Sequence, residues 1–203
     1  MSEQRERVLG RVRDALAPLP ERAAYPDYDP AMTLTYPQDG PSPWERFKSM
    51  FTAVHGRTFE SVSDLGAWLV ESQYLKGCCD PDLFDLLRIG LPEKLVIETA
   101  FDRHRIDEFT FGISRARGAI AESGSLVLDD ATTWSRLAAL APWVHVAVLR
   151  RADLWRDIPT AITHFGNDPN IIWVTGPSKT ADVEGILIEG VHGPGEQVCL
   201  LID

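Results

Sequence analysis

Cysteine is scarce in this sequence: Cys78, Cys79 and Cys199 are the only three in 203 residues. Their number and spacing exclude a Cys-x-x-Cys zinc site, an iron-sulfur site and a disulfide framework, and they fit a reducing compartment. Long hydrophobic runs are missing too. The longest, Leu137 to Leu149, is interrupted by Pro142 and His145 and falls short of the ~20 residues a membrane span needs. Met1 to Arg13 alternates acids and arginines without the apolar run of a signal peptide, so the expected location is the cytoplasm. Positive charge is also in short supply. Lys and Arg total 20 against 30 Asp and Glu, a net charge of -10, which opposes binding to nucleic acid or an anionic membrane. The five histidines include no His-x-x-x-His pair, so no metal site is expected.

With 44% hydrophobic and 25% charged residues, a chain of this length buries a core without a metal or disulfide staple. Val8, Leu9, Val12, Ala15 and Leu16 recur at helical spacing and predict an amphipathic helix over 3–16, ending before Pro18. Pro18 to Pro43 holds seven of the 14 prolines and reads as an extended connector. The expected division is therefore 1–43, helix plus connector, and 44–203, the main domain. Ser42, Pro43 and Glu45 carry the N-cap, first-turn proline and capping-box signals of a helix presenting Trp44, Phe47, Phe51 and Val54.

Downstream, strands are expected at 57–60, 95–99, 143–149, 171–175 and 197–202. Helices are expected from Ser61, with Leu65, Trp68, Leu69 and Leu75 inward, from Asp80-Pro81 to Gly90, at 132–140 and at 158–165. The alternation implies an α/β fold with a largely parallel sheet flanked by helices, whose ligands usually sit beyond strand carboxyl ends.

Three bends are candidates for carrying chemistry. The first, Glu122-Ser123-Gly124-Ser125, lies between short apolar runs and suggests a strand, tight turn and return strand. Its backbone N-H groups and hydroxyls suit a phosphate or carboxylate, with Glu122 beside them as base or nucleophile; the same residues also serve an ordinary hairpin turn. The second, Gly176-Pro177-Ser178-Lys179-Thr180-Ala181-Asp182, follows a strand. It is not a Walker loop; Ser178, Thr180 or Asp182 would cap a helical turn there, whose amides together with Lys179 suit an anion, and capping alone is the competing reading. The third, Gly190-Val-His-Gly-Pro-Gly-Glu196, has glycines that permit close backbone approach, and His192 is a candidate acid or base. Arg103, Arg105, Arg115 and Arg117 outweigh Asp107 and Glu108 locally. That excess suits either a small anion or a solvated face with internal ion pairs. The cysteines read as small hydrophobic fillers.

The segments Gly118-Ala-Ile-Ala-Glu-Ser-Gly-Ser-Leu-Val-Leu128, Thr175-Gly-Pro-Ser-Lys-Thr-Ala-Asp-Val-Glu184 and Gly190-Val-His-Gly-Pro194 resemble, in order and spacing, the signatures of the LUD-domain family, which includes lactate utilisation protein C. The resemblance implies a fold like that of the NagB/RpiA/CoA-transferase superfamily. It implies a subunit of a cytoplasmic system that oxidises L-lactate or a related organic acid to pyruvate, with no cofactor in this chain and iron-sulfur clusters on oxidoreductase partner subunits. The alternatives are a stand-alone enzyme on a phosphorylated or CoA-linked small acid, in which Glu122 is placed like the CoA-transferase nucleophile, and a non-catalytic assembly subunit.

The implied pocket joins Ser114, Arg117, Ser123, Gly124 and Ser125 with Gly176, Pro177, Ser178 and Thr180 around a small anionic metabolite, Glu122 and His192 handling protons. Family members commonly carry Gly-x-Thr-x-Ala-Asp where this chain reads Gly112-Ile-Ser-Arg-Ala-Arg117. Arg117 thus replaces an acid, which would favour a more anionic ligand.

Overall fold

The computed structural model describes residues 3–18, 40–165, 170–181 and 186–203. Two units divide the chain, Met1–Thr33 and Leu34–Asp203. In the first, α1 (Glu3–Leu16) forms over the expected range and leaves Val8, Val12 and Leu16 exposed. Most of the proline-rich connector lies outside the described residues.

The second unit runs α2 (Pro43–Ala53), β1 (Arg57–Phe59), α3 (Val62–Glu71), β2 (Lys76–Cys79), α4 (Pro81–Leu87), β3 (Val96–Glu98), β4 (Phe111–Arg115), β5 (Gly118–Ile120), β6 (Ser125–Leu128), α5 (Arg136–Leu140), β7 (Val144–Arg150), β8 (Leu154–Trp155), α6 (Ile158–His164), β9 (Ile172–Val174), β10 (Lys179–Ala181), β11 (Leu187–Glu189) and β12 (Glu196–Ile202). Side-chain capping starts its helices. Ser42 accepts from Glu45 N, Ser61 from Asp64 N, Asp80 from Asp82 N, Ser135 from Ala138 N and Asp157 from Thr160 N, each satisfying an amide that the helix leaves open.

Six strands form a parallel sheet in the order β1-β12-β7-β4-β2-β3. Alternation sorts its side chains between two cores. Val144, Val146, Val148, Val198 and Leu200 meet Leu65, Leu69, Leu83 and Leu87 of α3 and α4 on one face. Ala147, Leu149, Cys199 and Leu201 meet Trp44, Phe47 and Phe51 of α2 on the other, together with Leu126 and Leu128 of β6. A second sheet, β8-β5-β6-β9, carries the predicted hairpin, with Ile120 paired to Ser125.

Several expectations are corrected. Leu75 leaves α3 because Gln73 turns left-handed (φ 62) and Tyr74 N donates to Leu69 O at 2.9 Å, a Schellman-type stop. The predicted helix over 132–140 forms only as α5, because Thr132 N and Oγ1 both donate to Asp129 Oδ1 (2.7 and 2.6 Å) and hold a turn ahead of it. β2 and β4 were not anticipated. A Cβ on Gly77 would lie 2.3 Å from the Phe111 ring, so the central sheet needs a glycine in the short Lys-Gly-Cys-Cys strand. Around Ser178 there is no helical turn: the chain enters β10, which pairs antiparallel with β11. Asp182 lies outside the described residues.

Candidate functional site

The three bends meet. Gly124 (φ 66) and Gly176 (φ 79) take left-handed conformations and rest on the end of α2. A Cβ on Gly124 would lie 2.6 Å from Phe51 N, and one on Gly176 would lie 2.2 Å from Val54 O. Ser123 Oγ is 2.8 Å from Ser125 Oγ, and Ser125 Oγ is 2.7 Å from Thr175 Oγ1, so hydroxyls tie the first bend to the second. Ser178 N donates to Pro194 O, and Gly190 N donates to Ser178 O, both at 2.8 Å, which ties the second bend to the third.

The close approach made by the third bend is to an indole. A Cβ on Gly190 would lie 2.4 Å from Trp143 Cζ3, and one on Gly195 would lie 2.3 Å from Trp143 Cζ2. These glycines let the loop wrap the Trp143 ring.

Between the second and third bends opens a cup of about 400 Å³, lined in part by Thr175, Gly176, Ser178, His192, Gln197 and Leu140, with no Asp or Glu among the described residues of its wall. Gln197 is buried and heads a polar chain running into the protein. Its amide lies against His145 Nδ1, with Nε2 at 2.8 Å and Oε1 at 3.2 Å, and His145 Nε2 lies 2.8 Å from Ser114 Oγ. Burial pushes the His145 imidazole down to about 4, against a smaller upward push from Gln197, so the ring is neutral at pH 7. Gln197 and His145 are register partners near the starts of β12 and β7. The cup therefore sits at the amino end of the parallel sheet, not beyond its carboxyl ends, because the third bend leads into β12.

The other predicted residues are engaged elsewhere. Ser114 is fully buried and reaches the cup only through His145. Glu122 Oε2 accepts from Ile158 N at 3.1 Å, at the start of α6. Arg117 Nε lies 3.4 Å from Asp129 Oδ2, and its Nη2 donates to His164 O at 2.9 Å. The expected acid-to-arginine reversal is thus answered by a buried carboxylate. Thr180 lies within β10, opposite Ile188. Pro177 lines the cup, as does His192, whose ring is exposed.

Within the arginine-rich stretch, Arg105 is held bidentately by Glu98 (2.9 and 2.8 Å) and also by Glu108, an ion-pair network that draws Glu108 down to about 2 through hydrogen bonds from Arg105 and Lys76. Burial pushes the Cys78 and Cys79 thiols up to about 12 and raises Cys199 as well, so all three act as core fillers.

His145, buried and bonded to Gln197, and Gln197 and Thr175, which line the cup, do not belong to the predicted set of site residues. For the first two the sequence does hold a signal, a polar residue placed second in an otherwise apolar strand, in Val144-His145-Val146 and Glu196-Gln197-Val198.

The LUD domain signature matches residues 90–202, and the chain belongs to the LUD-domain family. An uncharacterized protein of Neisseria meningitidis is 30% identical over 118 residues, covering 54% of this chain and 51% of the relative. Lactate utilization protein C of Shouchella clausii is 30% identical over 99 residues (45% and 43%), and that of Bacillus subtilis 28% over 106 residues (48% and 44%). The alignments cover about half the length of these curated relatives or somewhat less. The crystal structure of a DUF162 family protein from Deinococcus radiodurans shares the fold at 15% identity and a TM-score of 0.54, covering 79% of this chain and 96% of that one.

Proposed function

We propose that the chain is a lactate utilisation protein C-like subunit of a cytoplasmic system that oxidises L-lactate or a related organic acid to pyruvate, and that it holds the small anion in the cup between Thr175 and Gln197. The observation that carries this reading is the wall of the cup, whose described residues offer hydroxyls, an amide and an imidazole but no carboxylate in a chain of net charge -10. The names of the relatives supply the class of acid.

In this reading, Ser178 and Thr175 bind the carboxylate, Gln197 orients the 2-substituent, and His192 at the rim moves a proton. The three cysteines are core thiols raised by burial and do not suit cluster ligation, so the electrons pass to iron-sulfur clusters on partner proteins. Glu122 is bound to the start of α6, which does not support covalent acyl transfer at that residue. Among the described residues, no helix is long and apolar enough to cross a membrane.

Deleting the gene in its host tests the proposal. The expected result is loss of growth on L-lactate, restored by the wild-type gene and not by Gln197→Leu; unchanged growth of the deletion strain rejects the reading.

A further inference from the structure

A second cavity, of about 680 Å³, is also lined by His192 and Gly193. Leu140, His192 and Gly193 border both cavities, so the two share a wall. Their linings differ in kind. The first offers Thr175, Ser178 and Gln197. The second is formed by Leu137, Leu140, Ala141, Ile172 and Val191, with Arg136 at one side, and Arg136 is paired with Asp130. Size also separates them from the needs of a three-carbon acid. Pockets of roughly 300–1,000 Å³ suit ligands far larger than that, and the cup alone, at about 400 Å³, already lies in this range.

We infer that the two cavities form one bipartite site, and that its ligand is a 2-hydroxy or 2-oxo carboxylate bearing an aliphatic side chain. The proposal rests on the acid-binding reading above and specifies the substrate class. The polar head occupies the cup, with the 2-substituent on Gln197. The side chain crosses Leu140 and lies against Leu137, Ile172 and Val191. His145, buried and bonded to Ser114 on one side and Gln197 on the other, tethers that amide from within the protein.

Titration calorimetry of the full chain with L-lactate, 2-hydroxybutyrate and 2-hydroxyisocaproate tests the inference. Affinity is expected to rise about two- to fourfold per added methylene, as for partial to full burial of each group. Val191→Asn should bring the ratio of the longest acid to lactate toward one. Ile188→Asn, a change to an exposed residue outside both cavities, should leave the series as in the wild type. Gln197→Leu should weaken every acid about tenfold while preserving the ratio. If lactate binds and the longer acids bind no better, or if Val191→Asn leaves the ratio intact, the bipartite site is overturned and the acid-binding cup stands. If none of the acids binds, both fall.

Discussion

Ser125 Oγ and Thr175 Oγ1 lie 2.7 Å apart, joining a hairpin turn to a strand end 50 residues away. Ser125 is buried whereas Thr175 is exposed, so only the serine depends on this bond and on Ser123 for its satisfaction. Ser125→Ala is expected to cost about 1 kcal/mol and to lower the thermal midpoint by about 2–4 °C, while Thr175→Ala costs less. A double-mutant cycle read by calorimetric melting checks the coupling.

Gly176 has no room for a side chain. With φ at 79 and Val54 O only 2.2 Å from where a Cβ would stand, Gly176→Ala is expected to destabilise by about 2 kcal/mol or more and to weaken acid binding by displacing the second bend. Gly10 in α1 faces open space, so Gly10→Ala should instead raise helicity, as the propensity difference of about 1 kcal/mol requires. Urea melts check the first and far-ultraviolet circular dichroism the second.

Glu122 supports the start of α6 through Ile158 N. Removing that acceptor in Glu122→Ala should cost about 1 kcal/mol, and Glu122→Gln should recover part of it. Lactate affinity should be unchanged in both. A Glu122→Gln protein that melts normally but fails to complement growth on lactate would return the carboxylate to the chemistry.

Arg117→Ala leaves the buried Asp129 carboxylate without its guanidinium, although Thr132 still donates to it. Partial exposure of the arginine screens the pair, so a loss of about 1–2 kcal/mol is expected, with acid affinity unaltered. Equilibrium denaturation of Arg117→Ala, Asp129→Asn and the double variant separates the pair from the remaining hydrogen bonds.

His145 makes stability depend on pH. Its imidazole falls from 6.5 to about 4 on burial, so between these values the unfolded chain binds a proton that the folded chain refuses. Stability is therefore complete above pH 6.5 and declines on acidification, by about 1.5 kcal/mol between pH 6.5 and 5. The paired carboxylates Glu98 and Glu108 are lowered, so their titration weighs below this window, whereas Asp80 is raised by burial and acts against the His145 slope. Urea melts of wild type and His145→Gln at both pH values check the slope, which the variant should flatten.

Much of the architecture was legible because it is written locally. Ser42, Ser61 and Asp80 announce their helices by the bonds they make within three residues, and the Glu122–Ser125 turn sits between two runs that pair in register. β2 was illegible because its Lys-Gly-Cys-Cys sequence suits a central strand only in the presence of Phe111, 34 residues away from Gly77 in sequence, whose ring covers the glycine. The convergence of the bends was expected, but the occupants of their glycines were not: Met50, Phe51, Val54 and Trp143 fill the space next to Gly124, Gly176, Gly190 and Gly195.

The amino-acid sequence by itself determined the α/β alternation, the scarcity of cysteine, the acidic balance and the three bends, since each depends on residue type or short-range spacing. Only the tertiary structure decided which polar groups face the cup. A histidine and a glutamine in two apolar strands become partners when β7 and β12 pair in register, and an arginine read as an anion ligand finds a buried aspartate, because hydrogen bonds and desolvation act between neighbours in space.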